Sequence, residues 1–233
     1  MKAQPLAQEL LDELTALDEC VLLSEFSQYR YLMKCDKVIR VDAAEGYMCK
    51  GVVYAYSNDF EKMFENFQIA LRLAPRDELI RNNYIYSMNN FGRFDEIIEI
   101  MSRQKNPHSS SHLHALIRAL ISTLNLEVLK EIDSSYVNKI EEALNSLNLE
   151  FKDVQSYILL FNSLMSQKNV RFGVVPSISW EEENGELFVY YDFVGNASES
   201  MKIMDEFDAQ VFELNLKHVS RKLTLILLPH SVC

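Results

Sequence analysis

Three histidines close together in the sequence, His108, His112 and His114, are the first candidates for metal chemistry. Imidazole is a common ligand of transition metals, and His108 and His112 would share one face of a helix that began early. The intervening serines 109–111 favour a break in that helix, and no acidic residue is adjacent. We therefore interpret the three histidines as surface or capping residues, and we predict no metal site.

Four glutamates form a second candidate, because Glu181, Glu182 and Glu183 are followed by Glu186 across a short turn. Closely spaced carboxylates can bind a cation or act as an acid and base pair. Carboxylates at the tip of a hairpin are usually solvated, and like charges opposite each other slightly destabilise a strand pair. If the cluster does more than face water, contact with a basic partner protein explains it best.

The cysteines give no sign of a metal or redox centre. No CxxC pair and no zinc-type spacing to histidine occurs among Cys20, Cys35, Cys49 and Cys233. We expect reduced thiols, as in a cytosolic protein. The sequence also lacks a Walker loop, GxGxxG, HExxH and GxSxG. We therefore predict a non-enzymatic protein with no cofactor and no catalytic residue.

The charge balance bears on the partner. The chain has 23 Lys plus Arg against 34 Asp plus Glu, a formal net charge of −11 over 233 residues. An acidic surface repels nucleic acid and anionic lipid, so neither is a predicted partner. Solubility explains the charge, and so does a basic partner protein. No apolar run reaches the roughly 18 residues that span a bilayer, and no signal-peptide core is present, so we expect a cytoplasmic protein.

Helical periodicity accounts for the first 169 residues. Leu6–Leu14 and a stretch from about Asp18 to Lys37 read as two amphipathic helices, which we interpret as an irregular N-terminal cap. The second of these has an apolar side that we assign to Val21, Leu22, Phe26, Tyr29 and Leu32.

The stretch 44–77 resembles a tetratricopeptide repeat, a helical hairpin of about 34 residues with small and aromatic residues at fixed offsets. The positions that match this pattern are Tyr47, Gly51, Tyr54, Phe67, Ala70 and Pro75, while Lys50 and Met63 depart from it. Residues 78–107 read as a degenerate second copy, in which Leu79, Tyr84 and Met88 lie on the packing side. Asp42 and Asp77 are placed to cap the first helix of each copy.

The resemblance also implies where a partner would bind. In such proteins the first helix of each repeat lines a concave groove that holds an extended peptide or a partner helix. Transferred to this chain, the groove residues are Met48, Val52, Tyr56, Asn82, Tyr86 and Asn89. The Lys and Arg with which some relatives hold a terminal carboxylate are missing from these positions. In the alternative interpretation, Tyr56 and Tyr86 pack on a neighbouring helix.

The periodicity changes at about Val170. Alternating residues around Asn184-Gly185 predict a β-hairpin, and a two-residue turn would place Trp180 opposite Val189 and Ile178 opposite Tyr191. A helix at about 197–216 and a strand at 222–228 follow. We predict an α+β protein that is predominantly α, with a tetratricopeptide-like domain over 1–169 and a small ββαβ domain over 170–233 docked on it.

Three functional hypotheses follow. The first is a non-catalytic adaptor that binds a peptide or a partner protein through the concave groove. The second is an acidic antitoxin, immunity-type or effector-chaperone protein that binds and blocks a basic partner. The third is an enzyme that uses the C-terminal unit, for which no catalytic set of residues assembles in the sequence.

Overall fold

The protein is predominantly helical with one small sheet, as the sequence predicts. The computed structural model describes residues 3–17, 20–103, 110–172, 177–181 and 185–230. Its helices are α1 (Ala3–Thr15), α2 (Glu25–Ile39), α3 (Ala43–Tyr56), α4 (Phe60–Leu73), α5 (Glu78–Asn90), α6 (Phe94–Ser102), α7 (Ser110–Ser122), α8 (Leu126–Ile132), α9 (Ser134–Leu147), α10 (Phe151–Lys168), α11 (Ala197–Glu213) and α12 (Lys217–Ser220). Its strands are β1 (Ser177–Glu181), β2 (Glu186–Phe193) and β3 (Leu223–Pro229).

The first eight helices pack as four consecutive hairpins. Each odd-numbered helix contacts the even-numbered helix after it, and α1, α3, α5 and α7 contact one another in succession. This arrangement fits tetratricopeptide-like repeats, and it extends by one hairpin on either side of the stretch that the sequence identifies. The helices α1 and α2 pack as a further hairpin against α3, and their interpretation as an N-terminal cap stays a prediction.

The hairpin of α3 and α4 shows why the repeat pattern holds. Asp42 caps α3 by accepting a hydrogen bond from the Glu45 amide at 3.0 Å. A Cβ at Gly51 would lie 2.7 Å from the Phe67 ring, so only glycine allows this close approach of the two helices. Met63, which departs from the pattern, is fully buried in the same hairpin. In this hairpin the small residue Gly51 therefore faces the large ring of Phe67, and Met63 fills another buried position.

The start and the buried side of α2 differ from the prediction. The helix begins at Glu25, after the cap residue Ser24, and it buries Tyr31, Cys35 and Val38. Phe26 is 75% exposed and was wrongly assigned to the packed side, as was Tyr29 at 65%. Both faces of α2 carry apolar residues, so the periodicity alone does not show which face is buried. Contact with α1 and α3 determines the buried face.

The C-terminal unit has the predicted order of strand, strand, helix, strand. The sheet order is β1-β2-β3, with β1 antiparallel and β3 parallel to β2. Trp180 pairs with Leu187, and Ile178 pairs with Val189. The predicted register was therefore wrong by two residues, because residues 182–185 connect the paired strand ends in place of a two-residue turn. A shift by two leaves the same residues on the same face.

The two parts of the chain share one buried core, which runs from α1 to β3. Aromatic rings form the junction: Phe161 of α10 lies 5.0 Å from the ring of Tyr191 and 5.4 Å from that of Phe207, between centroids. Phe172 packs edge-on against Phe161 at 6.1 Å. The division into domains at residue 169 stays a prediction, and this shared core fits the predicted docking. None of the described helices is long and apolar enough to span a membrane.

Candidate partner-binding surface

One face of α5 carries two exposed apolar side chains. Leu79 and Tyr86, two turns apart on this helix, are each 44% exposed. Asn82 lies between them, and the spacing i, i+3, i+7 puts all three on one face. The helix contacts α3, α4, α6 and α7 with its other sides. Helix α5 therefore presents two apolar side chains to solvent, with the half-buried Asn82 between them.

Local interactions fix the direction in which this face points. Asp77 caps α5 through a hydrogen bond from the Ile80 amide at 3.1 Å. Tyr84 packs against Phe67 of α4 with 5.6 Å between ring centroids. The Asn83 amide donates to the Leu79 carbonyl at 2.9 Å and lies 3.6 Å from the Met48 sulfur of α3. With Tyr84 held in the core, Tyr86 must point away from it.

The asparagines of α5 differ in their hydrogen bonding. Asn89 is fully buried, and its amide donates to the Ala115 carbonyl of α7 at 3.3 Å. Asn82 is half-buried, and its Oδ1 accepts no hydrogen bond from the described part of the chain. A buried amide oxygen without a donor is unfavourable by about 1–3 kcal/mol. The buried Oδ1 of Asn89 likewise has no donor in the described part of the chain, but its Nδ2 joins α5 to α7, so the two residues differ in that donor bond and in exposure.

The predicted groove is closed at α3. Met48 is fully buried, with its sulfur near the Asn83 amide of α5, and Val52 is 7% exposed. The helices α1, α2, α4 and α5 all pack against α3. Tyr56 is half-buried beneath the Arg171 guanidinium, which lies 4.8 Å from the ring centroid. Of the six predicted residues, burial removes Met48, Val52 and Asn89 from the accessible surface. Asn82 and Tyr86 share the open face, and their role in binding stays a prediction.

The sequence assigned Leu79 to the packing side, and this was wrong. Its exposure on the same face as Tyr86 makes Leu79 part of the candidate surface. The spacing of the two residues, i and i+7, was visible in the sequence. The sequence could not tell which of the several apolar residues of α5 would face α3 and α7.

Three carboxylates lie near one another at the first turns of α3 and α5. Burial raises the pKa of Glu45 above its usual value, and the negative charges of Asp42 and Asp77 raise it further. These two neighbours cap α3 and α5, so the first turns of adjacent repeats bring three acidic side chains near one another. The repulsion among these three carboxylates contributes to the raised pKa of Glu45.

Comparison with known proteins gives two distant similarities. A peroxisomal targeting signal receptor of Saccharomyces cerevisiae is 28% identical over 117 residues, which cover 49% of this chain and 19% of the receptor. The protein of the same name from Candida glabrata is 29% identical over 104 residues, 44% of this chain and 17% of that protein. The chain thus spans less than a fifth of the length of these curated relatives. No family model and no solved structure matches the sequence.

The structure describes only some of the other candidate groups from the sequence. His114 is exposed on α7, the side chain of His112 lies outside the described residues, and so does all of His108. In the acidic hairpin, Glu181 and Glu186 are paired across β1 and β2, and Glu186 is half-buried. Glu182, Glu183 and the side chain of Glu181 lie outside the described residues, so the acidic contact stays a prediction.

An apolar cavity of about 260 Å³ lies between α9, α10 and the sheet. Tyr136, Ile140, Leu187 and Tyr191 contribute to its lining, and Lys139 is the charged side chain there. The lining offers no pair of acid and base groups. This cavity therefore gives no support to the hypothesis of an enzyme that uses the C-terminal unit.

Proposed function

We propose that this protein binds an extended segment of a partner protein on the concave face of α5 and acts by binding, without turnover. The observation that carries this proposal is the exposure of Leu79 and Tyr86 on either side of Asn82, whose amide oxygen has no donor in the described part of the chain. Apolar side chains and an amide with spare hydrogen-bonding capacity suit a peptide, which offers both side chains and backbone groups.

Each group has a distinct part in this proposal. Tyr86 supplies flat contact area at a small loss of side-chain entropy. Rotation of the Asn82 side chain exposes its amide group, which then forms hydrogen bonds with the backbone of the bound segment. The carboxylates of Asp42, Glu45 and Asp77 favour a Lys or Arg at one end of that segment. The distant relatives are named as receptors for a targeting signal, which supports a protein-binding role in general.

The second candidate is a protein that blocks a basic toxin or effector. The net charge of −11 and the carboxylates beside the concave face favour it. The biological role of such a protein differs from that of an adaptor. Both would recognise the partner in the same way, through an acidic surface that attracts a cationic protein in the cytoplasm. We therefore test both through the same surface.

The test compares binding of two peptide libraries of equal length, one cationic and one acidic, to the intact protein. We expect the cationic library to bind more tightly and the affinity to fall as salt is added, because charges about 10 Å apart are screened at 0.1 M. Substitution Tyr86→Ala should weaken binding by about 2 kcal/mol, roughly thirtyfold, as for an aromatic interface anchor.

Tyr29 provides the matched control, since it is a 65% exposed tyrosine on α2, away from the face of α5. Tyr29→Ala should leave peptide binding unchanged. Equal losses from both substitutions, or no loss from Tyr86→Ala, would refute the assignment to α5. Stronger binding of the acidic library would refute the role given to Glu45.

A further inference from the structure

Three side chains with different ligand atoms converge where the loop after α1 meets the end of the sheet. The Cys20 sulfur, a carboxylate oxygen of Asp192 and a ring nitrogen of His230 all lie within 4.8 Å of one another. Nε2 of His230 lies 2.7 Å from Oδ1 of Asp192. In the described ranges, this is the one group of three such residues that could hold a metal ion.

The sheet fixes two of these residues. Asp192 lies in β2, where it pairs with Leu228 of the parallel strand β3. His230 follows β3 directly, and its amide donates to the Phe193 carbonyl at 2.8 Å. The ends of the adjacent parallel strands β2 and β3 thus place the carboxylate and the imidazole side by side. The distance between these two groups is therefore fixed by the backbone hydrogen bonds between the strands.

The segment that carries Cys20 is tied to two other parts of the molecule. The Leu23 amide donates to the Tyr56 carbonyl at the end of α3 at 3.0 Å. The guanidinium of the buried residue Arg171 donates to the Val21 carbonyl. The position of the thiol near the sheet is therefore part of the packed structure.

We propose that Cys20, Asp192 and His230 form a Zn²⁺ site. Thiolate, imidazole and carboxylate together are the ligand types that zinc accepts, whereas Mg²⁺ and Ca²⁺ prefer oxygen alone. With bonds of about 2.0–2.3 Å, ligand atoms around a tetrahedral ion lie roughly 3.3–3.8 Å apart. The ligand atoms lie within 4.8 Å of one another, and they reach this geometry by small side-chain movements that include opening the 2.7 Å contact between His230 and Asp192.

Binding changes the protonation of the site and joins distant parts of the chain. The Cys20 thiol gives up its proton to solvent, the imidazole binds in its neutral form, and the fourth position of the ion is open to water. The bound ion connects the N-terminal hairpin to the C-terminal sheet. Because these residues come together only in the folded chain, Zn²⁺ should raise the melting temperature.

Other residues of the chain serve as internal comparisons. Burial raises the pKa of Cys35 well above its usual range and that of Cys49 to about 12, so neither is suited to give up its proton to a metal. His218 pairs with Asp153 through Nε2 and Oδ2 at 2.7 Å, the same contact as in the proposed site. Within the described residues no cysteine joins this second pair.

The experiment titrates Co²⁺ and Zn²⁺ into the full-length protein after treatment with a chelator. The wild-type protein should bind one metal ion per chain. Its Co²⁺ complex should show a thiolate-to-cobalt charge-transfer band, and its melting temperature should rise when Zn²⁺ is added. Cys20→Ser should abolish the band, and Asp192→Asn and His230→Gln should each weaken binding at least about tenfold, since even residues outside the first coordination shell have effects of that size.

The control His218→Gln should bind as wild type does, and Cys233→Ser should keep the band, which assigns the sulfur to Cys20. Circular dichroism of each variant without metal establishes that it folds. The proposal is overturned if wild type shows no thiolate band, if Cys20→Ser retains it, or if His218→Gln weakens binding as much as His230→Gln does. These results are independent of peptide binding at α5.

Discussion

Replacement of Asn58 by glycine should weaken the joint between the repeats and the C-terminal sheet. Asn58 lies in the turn between α3 and α4 with a φ of 53°, which glycine tolerates. Its amide donates to the Val194 carbonyl at 2.9 Å. Its Oδ1 accepts from the Arg171 backbone amide at 3.2 Å and from Nε at 3.3 Å. Asn58→Gly removes all three bonds and keeps the backbone conformation available.

The expected loss follows from these bonds. Two neutral hydrogen bonds contribute about 1 kcal/mol each, and one from the guanidinium contributes about 1.5 kcal/mol or more. Because the site is partly open to solvent, we expect the free energy of unfolding to fall by about 3 kcal/mol. For a chain of this length that corresponds to a melting temperature lower by roughly 6–12 °C. Asn58→Ala should lose about 1 kcal/mol more, since alanine disfavours a positive φ.

Urea denaturation of the two variants and wild type measures these differences. Hydrogen exchange should also speed up at the amides of Phe172 and Val194, which lie on either side of the joint. Neutral surface substitutions usually change the free energy of unfolding by less than about 0.5 kcal/mol. A change of that size or smaller for Asn58→Gly would refute this reasoning. So would equal effects of the glycine and alanine substitutions.

Two further substitutions test the repeat itself. Because the folded state raises the pKa of Glu45, its charge destabilises the fold above that pKa, so Glu45→Gln should add up to about 0.5 kcal/mol at pH 7. The gain should vanish below pH 4.5, the ordinary pKa of this group, and a gain that persists there in urea titrations would contradict the electrostatic cause. Gly51→Ala should lower stability by about 1–2 kcal/mol despite the better helix propensity of alanine, because its Cβ would lie 2.7 Å from the Phe67 ring. A thermal melt that shows stabilisation would contradict this steric account, and Phe67→Leu in the same chain should relieve part of the loss.

Much of the helical framework could be predicted because local signals agree. The cap residues Asp42 and Asp77 are confirmed, as is the hairpin 44–77. Caps, turns and periodicity depend on residues a few positions apart, so they are visible in the sequence. The candidate surface could be predicted only in part from such signals. Tyr86 and Asn82 lie on the open face of α5, but the burial of Met48 depends on the helices that pack against α3, and no local pattern specifies their packing.

By itself, the sequence determined the two helical hairpins over residues 44–107, the order of the C-terminal elements and the acidic charge, since these follow from short-range pattern and composition. The tertiary structure alone decided which face of α2 is buried and which face of α5 is exposed. It also brought Cys20 next to Asp192 and His230, and it made Asn58 a joint between distant segments. The physical reason is the same in each case. Contacts between residues far apart in the chain depend on how whole helices and strands pack, and this packing cannot be predicted from the spacing of residues along the sequence.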